Sequence, residues 1–314
     1  MLLALPTALA LAAAAYLTVV RGHHHDIDVS IPSIGRSSGK AEARQRPVAL
    51  PAVEPIPRIR MSSVDAFSLN FRKPPRAGLL FDLDNGDVLW RLHPYKRLPI
   101  ASLTKIMTAL IVTERAGPNE RVLITRPSLH AQGSAVGVLP KHKRVRLEAL
   151  LNGLLIVSGN DAAVALADHV AGTERRFAVL MNRRARQLGL RCTRFVTSYG
   201  LQSGNRSCAH DLAVLARLAM RNRRIARIVR RRRVELPFPI KGGHLFLYGH
   251  NPLMEEHYRG TIGLKTGFTD PAGRCLVGIA KRGAHTLGVV LLHSPNPGRH
   301  GPRLLNLGFR ELRG

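Results

Sequence analysis

Cysteine, aromatic residues and acidic residues are all scarce in this chain. Three cysteines in 314 residues, Cys192, Cys208 and Cys275, exclude a dense disulfide framework. They also lack the paired Cys/His spacing of a zinc site. Cys192 and Cys208 are open to two readings, a disulfide in an exported protein or small buried residues. Aromatics make up 5% of the chain. With no zinc-finger, homeodomain or RNA-recognition pattern, no nucleic-acid partner is expected. Against 20 acidic residues stand 48 lysines and arginines, for a formal net charge of +28. The excess is mostly arginine and attracts polyanions, with anionic wall polymers or lipid headgroups as candidate partners. Codon bias explains an arginine-for-lysine exchange over a whole chain equally well.

Charge is absent altogether from Leu2 to Val20, and Arg21 follows. The run is long for a signal segment and just long enough to span a membrane, but it lacks a basic leader. Residues 1–21 are therefore expected to be a signal peptide or a retained membrane anchor, with the rest outside the cytoplasm. Residues 22–70 shift to Pro, Ser and Gly with no sustained period and read as a flexible linker. His23-His24-His25 within it is an incidental run rather than a metal site. A composition 45% hydrophobic allows a real core, and residues 71–314 are expected to form the folded domain.

Alternation of Leu79, Phe81 and Leu83, a turn at Asn85-Gly86, and a return through Val88 and Trp90 predict a β-hairpin. Helical spacing follows at Ile106, Met107 and Leu110, then at Leu147–Leu155, Ala162–Val170 and Phe177–Leu188, with Gly172 and Gly189 as stops. Asp211–Met220 is predicted to continue as a helix into the basic run Arg221–Arg233. Thr261–Gly263, Cys275–Lys281 and Leu287–Leu292 read as strands. Helices in the middle with strands from both ends imply an α/β domain whose sheet is closed by N- and C-terminal strands.

Three short patterns carry chemistry. Ser102 and Lys105 stand three apart at a helix start signalled by Pro99 and Ser102, so their side chains share a face. A serine near orphan N–H groups, one turn from an amine kept partly neutral, is a candidate nucleophile with its base. Ser37-Ser38-Gly39-Lys40 repeats the spacing, but no helical pattern supports it. Ser158-Gly159-Asn160 falls between two apolar helices and presents a hydroxyl and an amide. Ser203-Gly204-Asn205 repeats that pattern in a glycine-rich loop that turn chemistry explains. Lys265-Thr266-Gly267 offers, on an exposed strand edge, a lysine for a carboxylate and a glycine that admits another backbone.

In this order, the three patterns resemble those of the penicillin-recognising serine acyltransferases, and most closely the D-alanyl-D-alanine carboxypeptidases of low molecular mass, serine peptidase family S11. The resemblance runs from about Ala77 to Phe309. It is carried by Ala101-Ser102-Leu103-Thr104-Lys105-Ile106-Met107-Thr108-Ala109, Ser158-Gly159-Asn160-Asp161-Ala162-Ala163 and Gly263-Leu264-Lys265-Thr266-Gly267-Phe268-Thr269, with Met181-Asn182, Arg194-Phe195 and Ala272–Val277 besides. It implies a penicillin-binding-protein/β-lactamase-like transpeptidase fold. By the same resemblance Ser102 forms an acyl-enzyme with the penultimate D-alanine of peptidoglycan stem peptides, and β-lactams acylate the same serine. Lys105 would be the base, helped by the charge of Lys265. Ser158 would relay a proton or hold Lys105, and Asn160 would orient the substrate amide. Lys265 and Thr266, beside Gly267, would bind the terminal carboxylate, and the N–H groups of Ser102 and Phe268 would form the oxyanion hole. No metal or organic cofactor is implied.

The chain departs from the family at Thr197–Cys208. Its end soon after the catalytic region leads us to expect no second β-rich domain. Two alternatives stand beside the carboxypeptidase: a D,D-endopeptidase on cross-links, with the same residues in a wider cleft, and a catalytically idle, basic wall-binding scaffold. A β-lactamase would need a further acidic residue to activate water, and the sequence assigns none. Arg221–Arg233 is either a clamp for anionic polymer or a solvated face.

Overall fold

A computed structural model describes residues 56–61 and 64–312. The expected signal or anchor, the histidine run and the linker as far as Pro55 lie outside these residues. The last linker residues lie along the sheet: Arg60 bridges to Asp87, and Phe67 and Leu69 pack beside Trp90. Among the described residues, no helix is long and apolar enough to cross a membrane.

The predicted hairpin is present as β1 (Ala77–Asp82) and β2 (Val88–Leu92), turning through Gly86 at φ 91°. Every residue of β1 is buried, where the alternation had suggested one covered face. Leu79 and Phe81 enter the core under the helices, and Leu80 enters a second core on the other face of the sheet. Short β3 (Leu98–Pro99) leads into a 3-10 turn, Ala101–Thr104, and then α1 (Lys105–Arg115). After β4 (Arg121–Leu123), α2 (Arg126–Leu129) and β5 (Arg144–Arg146) come the central helices. They are α3 (Leu147–Leu155), α4 (Asn160–Ala171) and α5 (Glu174–Gln187). Gly172 ends α4 at φ 78°, as the sequence predicts.

Next come β6 (Arg206–Ser207), α6 (Ala209–Arg221) and α7 (Arg223–Val229). The basic run is not one helix. Asn222 breaks it, its side chain accepting from the N–H groups of Arg224 and Ile225 and so capping α7. Beyond α7, β7 (Arg233–Pro237) and β8 (His244–Tyr248) form a separate two-stranded ribbon, followed by α8 (Pro252–Glu255). The chain returns to the main sheet through β9 (Thr261–Thr269), β10 (Gly273–Arg282) and β11 (His285–Leu292), and α9 (Pro297–Glu311) covers it.

The antiparallel sheet runs β2-β1-β11-β10-β9, so N- and C-terminal strands meet at β1 and β11, as expected. One core joins the sheet to the central helices through residues such as Phe81, Met107, Leu151 and Phe177. The other joins it to α9 through Leu276, Val289, Leu304 and Phe309. Sheet-edge strand β9 is thereby held beside the start of α1, and the catalytic candidates converge there.

Candidate active site

The local chain around Ser102 is tightly determined. Ala101 has φ 47°, a left-handed conformation rare outside glycine, and its carbonyl lies under Gly200. A Cβ on Gly200 would fall 2.0 Å from that oxygen, so a side chain there is excluded. Ser102 thus sits in the 3-10 turn rather than in the α-helix itself, and Lys105 opens α1. The one-turn spacing still brings the pair together, with Lys105 Nζ 3.0 Å from Ser102 Oγ.

Lys105 is fully buried and has two further partners. Nζ donates to Asn160 Oδ1 at 2.6 Å and to the Tyr199 carbonyl at 3.0 Å. Asn160 is fixed in turn, since its Nδ2 donates to the carbonyl of Gln132. Asn160 is thereby held beside the lysine by both ends of its amide. Burial holds the Lys105 pKa well below its ordinary value, the charge of Lys265 lowers it further, and the Asp161 carboxylate opposes both.

Lys265 is 3% exposed, not on the solvent side of the strand edge as expected. Its Nζ donates to the Thr266 carbonyl at 2.8 Å, and burial lowers its pKa to about 7. Gly267 shows why glycine is required. A Cβ there would lie 2.9 Å from Ser102 N and 3.1 Å from Ala101 Cβ, so β9 and the serine turn could not touch. Thr266, Gly267 and the 61%-exposed Phe268 line one cavity of about 490 Å³ with Ser102 and Ser158. Ser158 has φ 62°, and its buried Oγ has no hydrogen-bond partner among the described residues. A buried orphan hydroxyl on a strained residue is costly unless it has work to do.

The structure brings all eight predicted site residues into this one region and adds others. Asp161 accepts from Val136 N, Gly137 N and Ala162 N, pinning the loop that carries Ser134 over the cleft. Its position in the first turn of α4, straight after Asn160, was the available signal. The Tyr199 and Gln132 carbonyls had none, since any residue type supplies a carbonyl. Glu255 and Glu256 also line the cavity. Asn205, part of the repeated serine-glycine-asparagine pattern, is buried and structural. It donates to Thr104 Oγ1 and the Thr197 carbonyl, and accepts from the N–H groups of Val196 and Thr197. It ties the 197–205 loop to the serine turn.

Cys192 and Cys208 form a disulfide at a Cα separation of 5.6 Å, which decides between the two readings. Asp211 lies close enough to complete a metal-like cluster with them, but both sulfurs are committed to the bond. Cys275 is free and buried, and burial pushes its thiol pKa up to about 11.

A five-stranded antiparallel sheet covered on both faces, with a serine–lysine turn docked on its edge strand, is the architecture of the penicillin-recognising serine enzymes. Residues 74–296 match the family described as D-alanyl-D-alanine carboxypeptidase, peptidase S11. The chain belongs to that family. It is 34% identical over 223 residues to a Mycobacterium tuberculosis D-alanyl-D-alanine carboxypeptidase, DacB2, covering 70% of this chain and 75% of the relative. It is 32% identical over 219 residues to the Bacillus subtilis DacF carboxypeptidase, covering 66% of this chain and 54% of that one. The match thus spans about half the length of DacF. A crystal structure of a D-alanyl-D-alanine carboxypeptidase from M. tuberculosis superposes at a TM-score of 0.71, with 29% identity, 82% of this chain and 96% of that chain covered. A mutant of a Streptomyces DD-transpeptidase superposes at 0.70, with 29% identity, 77% of this chain and all of that chain covered.

Proposed function

We propose that the protein is a serine-type D-alanyl-D-alanine carboxypeptidase that removes the terminal D-alanine from peptidoglycan stem pentapeptides. The observation that carries this reading is the set of partners around Lys105. A neutral amine has two N–H bonds and one lone pair. Asn160 Oδ1 and the Tyr199 carbonyl take the two N–H bonds, so the lone pair is left for the Ser102 hydroxyl at 3.0 Å. Burial and the neighbouring Lys265 favour that neutral form.

In this reading Ser102 Oγ attacks the carbonyl of the penultimate D-alanine as Lys105 takes the hydroxyl proton. The N–H groups of Ser102 and Phe268 receive the developing oxyanion, an arrangement that the close approach at Gly267 makes possible. The C–N bond breaks and the leaving amine takes the proton, with the unpartnered Ser158 hydroxyl in its path. Water then hydrolyses the ester. Lys265 and Thr266 hold the carboxylate of the departing D-alanine, and Asn160 positions Lys105. A β-lactam, which carries a carboxylate next to a strained amide, acylates the same serine.

Action outside the cytoplasm goes with this substrate. The Cys192–Cys208 disulfide supports it, because such bonds persist where thiols are not kept reduced. The apolar N-terminal segment would be the export signal or the anchor.

Intact-mass measurement after incubation with a penicillin tests the reading, with Ser102→Ala alongside. An adduct on the wild type alone, together with D-alanine release from a pentapeptide, is the expected result. A folded protein that gives neither would leave the basic wall-binding scaffold as the better account.

A further inference from the structure

A cavity of about 710 Å³ opens on the α9 side of the main sheet, away from the catalytic centre. Arg282, Arg303, Asn306, Phe309 and Arg310 line it, with Ser68 and Leu69 from the chain ahead of β1. Helix α9 begins at the catalytic cavity, where Pro297 and Gly298 form part of the wall. Arg310 lies twelve residues beyond Gly298, about 18 Å along the helix. The two cavities are therefore separate places on one molecule.

The charges of this second cavity are fixed but not neutralised. Arg303 and Arg310 are exposed and seven residues apart, which puts them on one side of α9, about 10 Å from each other along its axis. The Arg282 guanidinium sits 4.8 Å from the ring centres of both Tyr258 and Phe309, and its Nε donates to the Arg259 carbonyl at 3.4 Å. Ring contacts of this kind orient a cation and leave its charge in place. Arg303 lies 5.6 Å over the Phe71 ring in the same way. Asn306 Oδ1 accepts from the Tyr258 hydroxyl at 2.9 Å, which leaves its Nδ2 as a further donor. Among the described residues, no acidic side chain lines the cavity, and none pairs with these three arginines. Neighbouring cations differ. A depression of about 650 Å³ shares Ser68 and Leu69 with this cavity, and there Arg91 is paired with Asp65. In the basic run that the sequence singled out, Arg224 is paired with Glu148.

A row of guanidinium groups with no acid beside them fits a ligand that carries negative charges in a row. Arginine meets a phosphate with two parallel N–H bonds. The surroundings narrow the class further. The apolar side of α9, with Leu304, Leu305 and Phe309, is buried against the sheet, so this helix has no free apolar face to insert into a bilayer. Phe309 is 2% exposed, and arginines cover Tyr258 and Phe71, so no open ring is offered to a stacked base. We propose that Arg282, Arg303 and Arg310, with Asn306, form a docking groove for a linear, base-free phosphodiester polymer. The groove holds the protein on anionic wall material while the Ser102 cleft stays open. Binding here is non-covalent and does not depend on the role of Ser102.

The test measures binding of the full chain to a fluorescent synthetic poly(glycerol phosphate) oligomer by anisotropy, over a range of salt. The wild type is expected to bind, more weakly as salt rises. Arg303→Gln/Arg310→Gln, at two exposed positions, should weaken binding about tenfold and lower the salt dependence by about one power of salt per arginine. Arg227→Gln/Arg230→Gln removes the same charge from exposed positions outside the cavity, and should change binding by less than about twofold. Penicillin acylation should run at the same rate with the polymer bound. A wild type that does not bind, or an equal loss in the two variants, overturns the groove. Polymer that blocks acylation also overturns it, because the polymer then occupies the cleft. Phosphatidylglycerol vesicles or a single-stranded oligonucleotide, bound as tightly and with the same loss in Arg303→Gln/Arg310→Gln, would overturn the choice of ligand.

Discussion

Lys105 and Lys265 are 0% and 3% exposed, whereas Arg230, Arg231, Arg232 and Arg233 all face solvent. A chain with a formal charge of +28 could have placed arginines anywhere, yet the cations at the cleft's centre are lysines. The buried Arg217 makes the contrast sharper. Three backbone carbonyls, those of Arg58, Leu83 and Asp84, accept from its guanidinium, which stays a fixed charge bracing the start of the domain. Among the described residues, neither Lys105 nor Lys265 is bonded to a carboxylate, and burial drives both towards the neutral form. An amine can give up its proton near neutrality and a guanidinium cannot. Burial therefore favours the neutral form of the two lysines, while carbonyl partners make the buried arginine a fixed brace.

The most severe way to break the contrast is to remove the hydroxyl that Lys105 touches. Ser102→Ala should lower penicillin acylation and D-alanine release by on the order of 10³-fold or more, with the unfolding midpoint nearly unchanged. The surroundings of Lys105 come next. The Cys192–Cys208 bond closes a sequence separation of 16 residues around the loop whose Tyr199 carbonyl accepts from Lys105. Replacing both cysteines with serine should cost about 3 kcal/mol in urea unfolding and slow acylation as the loop loosens. Gly267→Ala should slow acylation by about 10²-fold, because a Cβ 2.9 Å from Ser102 N forces the strand away from the serine turn.

A smaller effect separates stability from activity. The lowered pKa of Lys265 means that, from about pH 7 to about 10.5, the unfolded chain holds a proton at this residue that the folded chain does not. Stability on this account rises with pH across that window, and below it the full cost of burying the charge is present. Lys265→Met should therefore raise stability by about 2 kcal/mol at pH 6, flatten the rise towards pH 10, and weaken substrate binding. Urea titrations at the two pH values check the sign. At the bottom of the scale, Arg223→Gln or Arg227→Gln should change stability by no more than about 0.5 kcal/mol, since these side chains are exposed.

Much of this was legible from residue patterns, and the failures share a cause. Period-two and helical spacings located the hairpin, α1 and the central helices, and glycines marked their ends, because those signals are local. The meeting of β1 with β11 followed from the order of elements. That Lys265 is buried, that Lys105 donates to Asn160, and that Arg217 is braced by carbonyls depend on packing between distant segments. Single-residue patterns do not encode such contacts. Backbone acceptors at Gln132 and Tyr199 are invisible to side-chain reasoning altogether. The break at Asn222 could have been read, since Asn between two basic helical stretches is a capping signal.

The most direct measurement is the second-order rate of Ser102 acylation by a penicillin across pH 5 to 11. A buried lysine base with a strongly lowered pKa predicts a rate that climbs at low pH and levels off well before pH 10. A rate that keeps rising through pH 10, as for a lysine of ordinary pKa, would contradict the claim that burial and Lys265 make Lys105 the base.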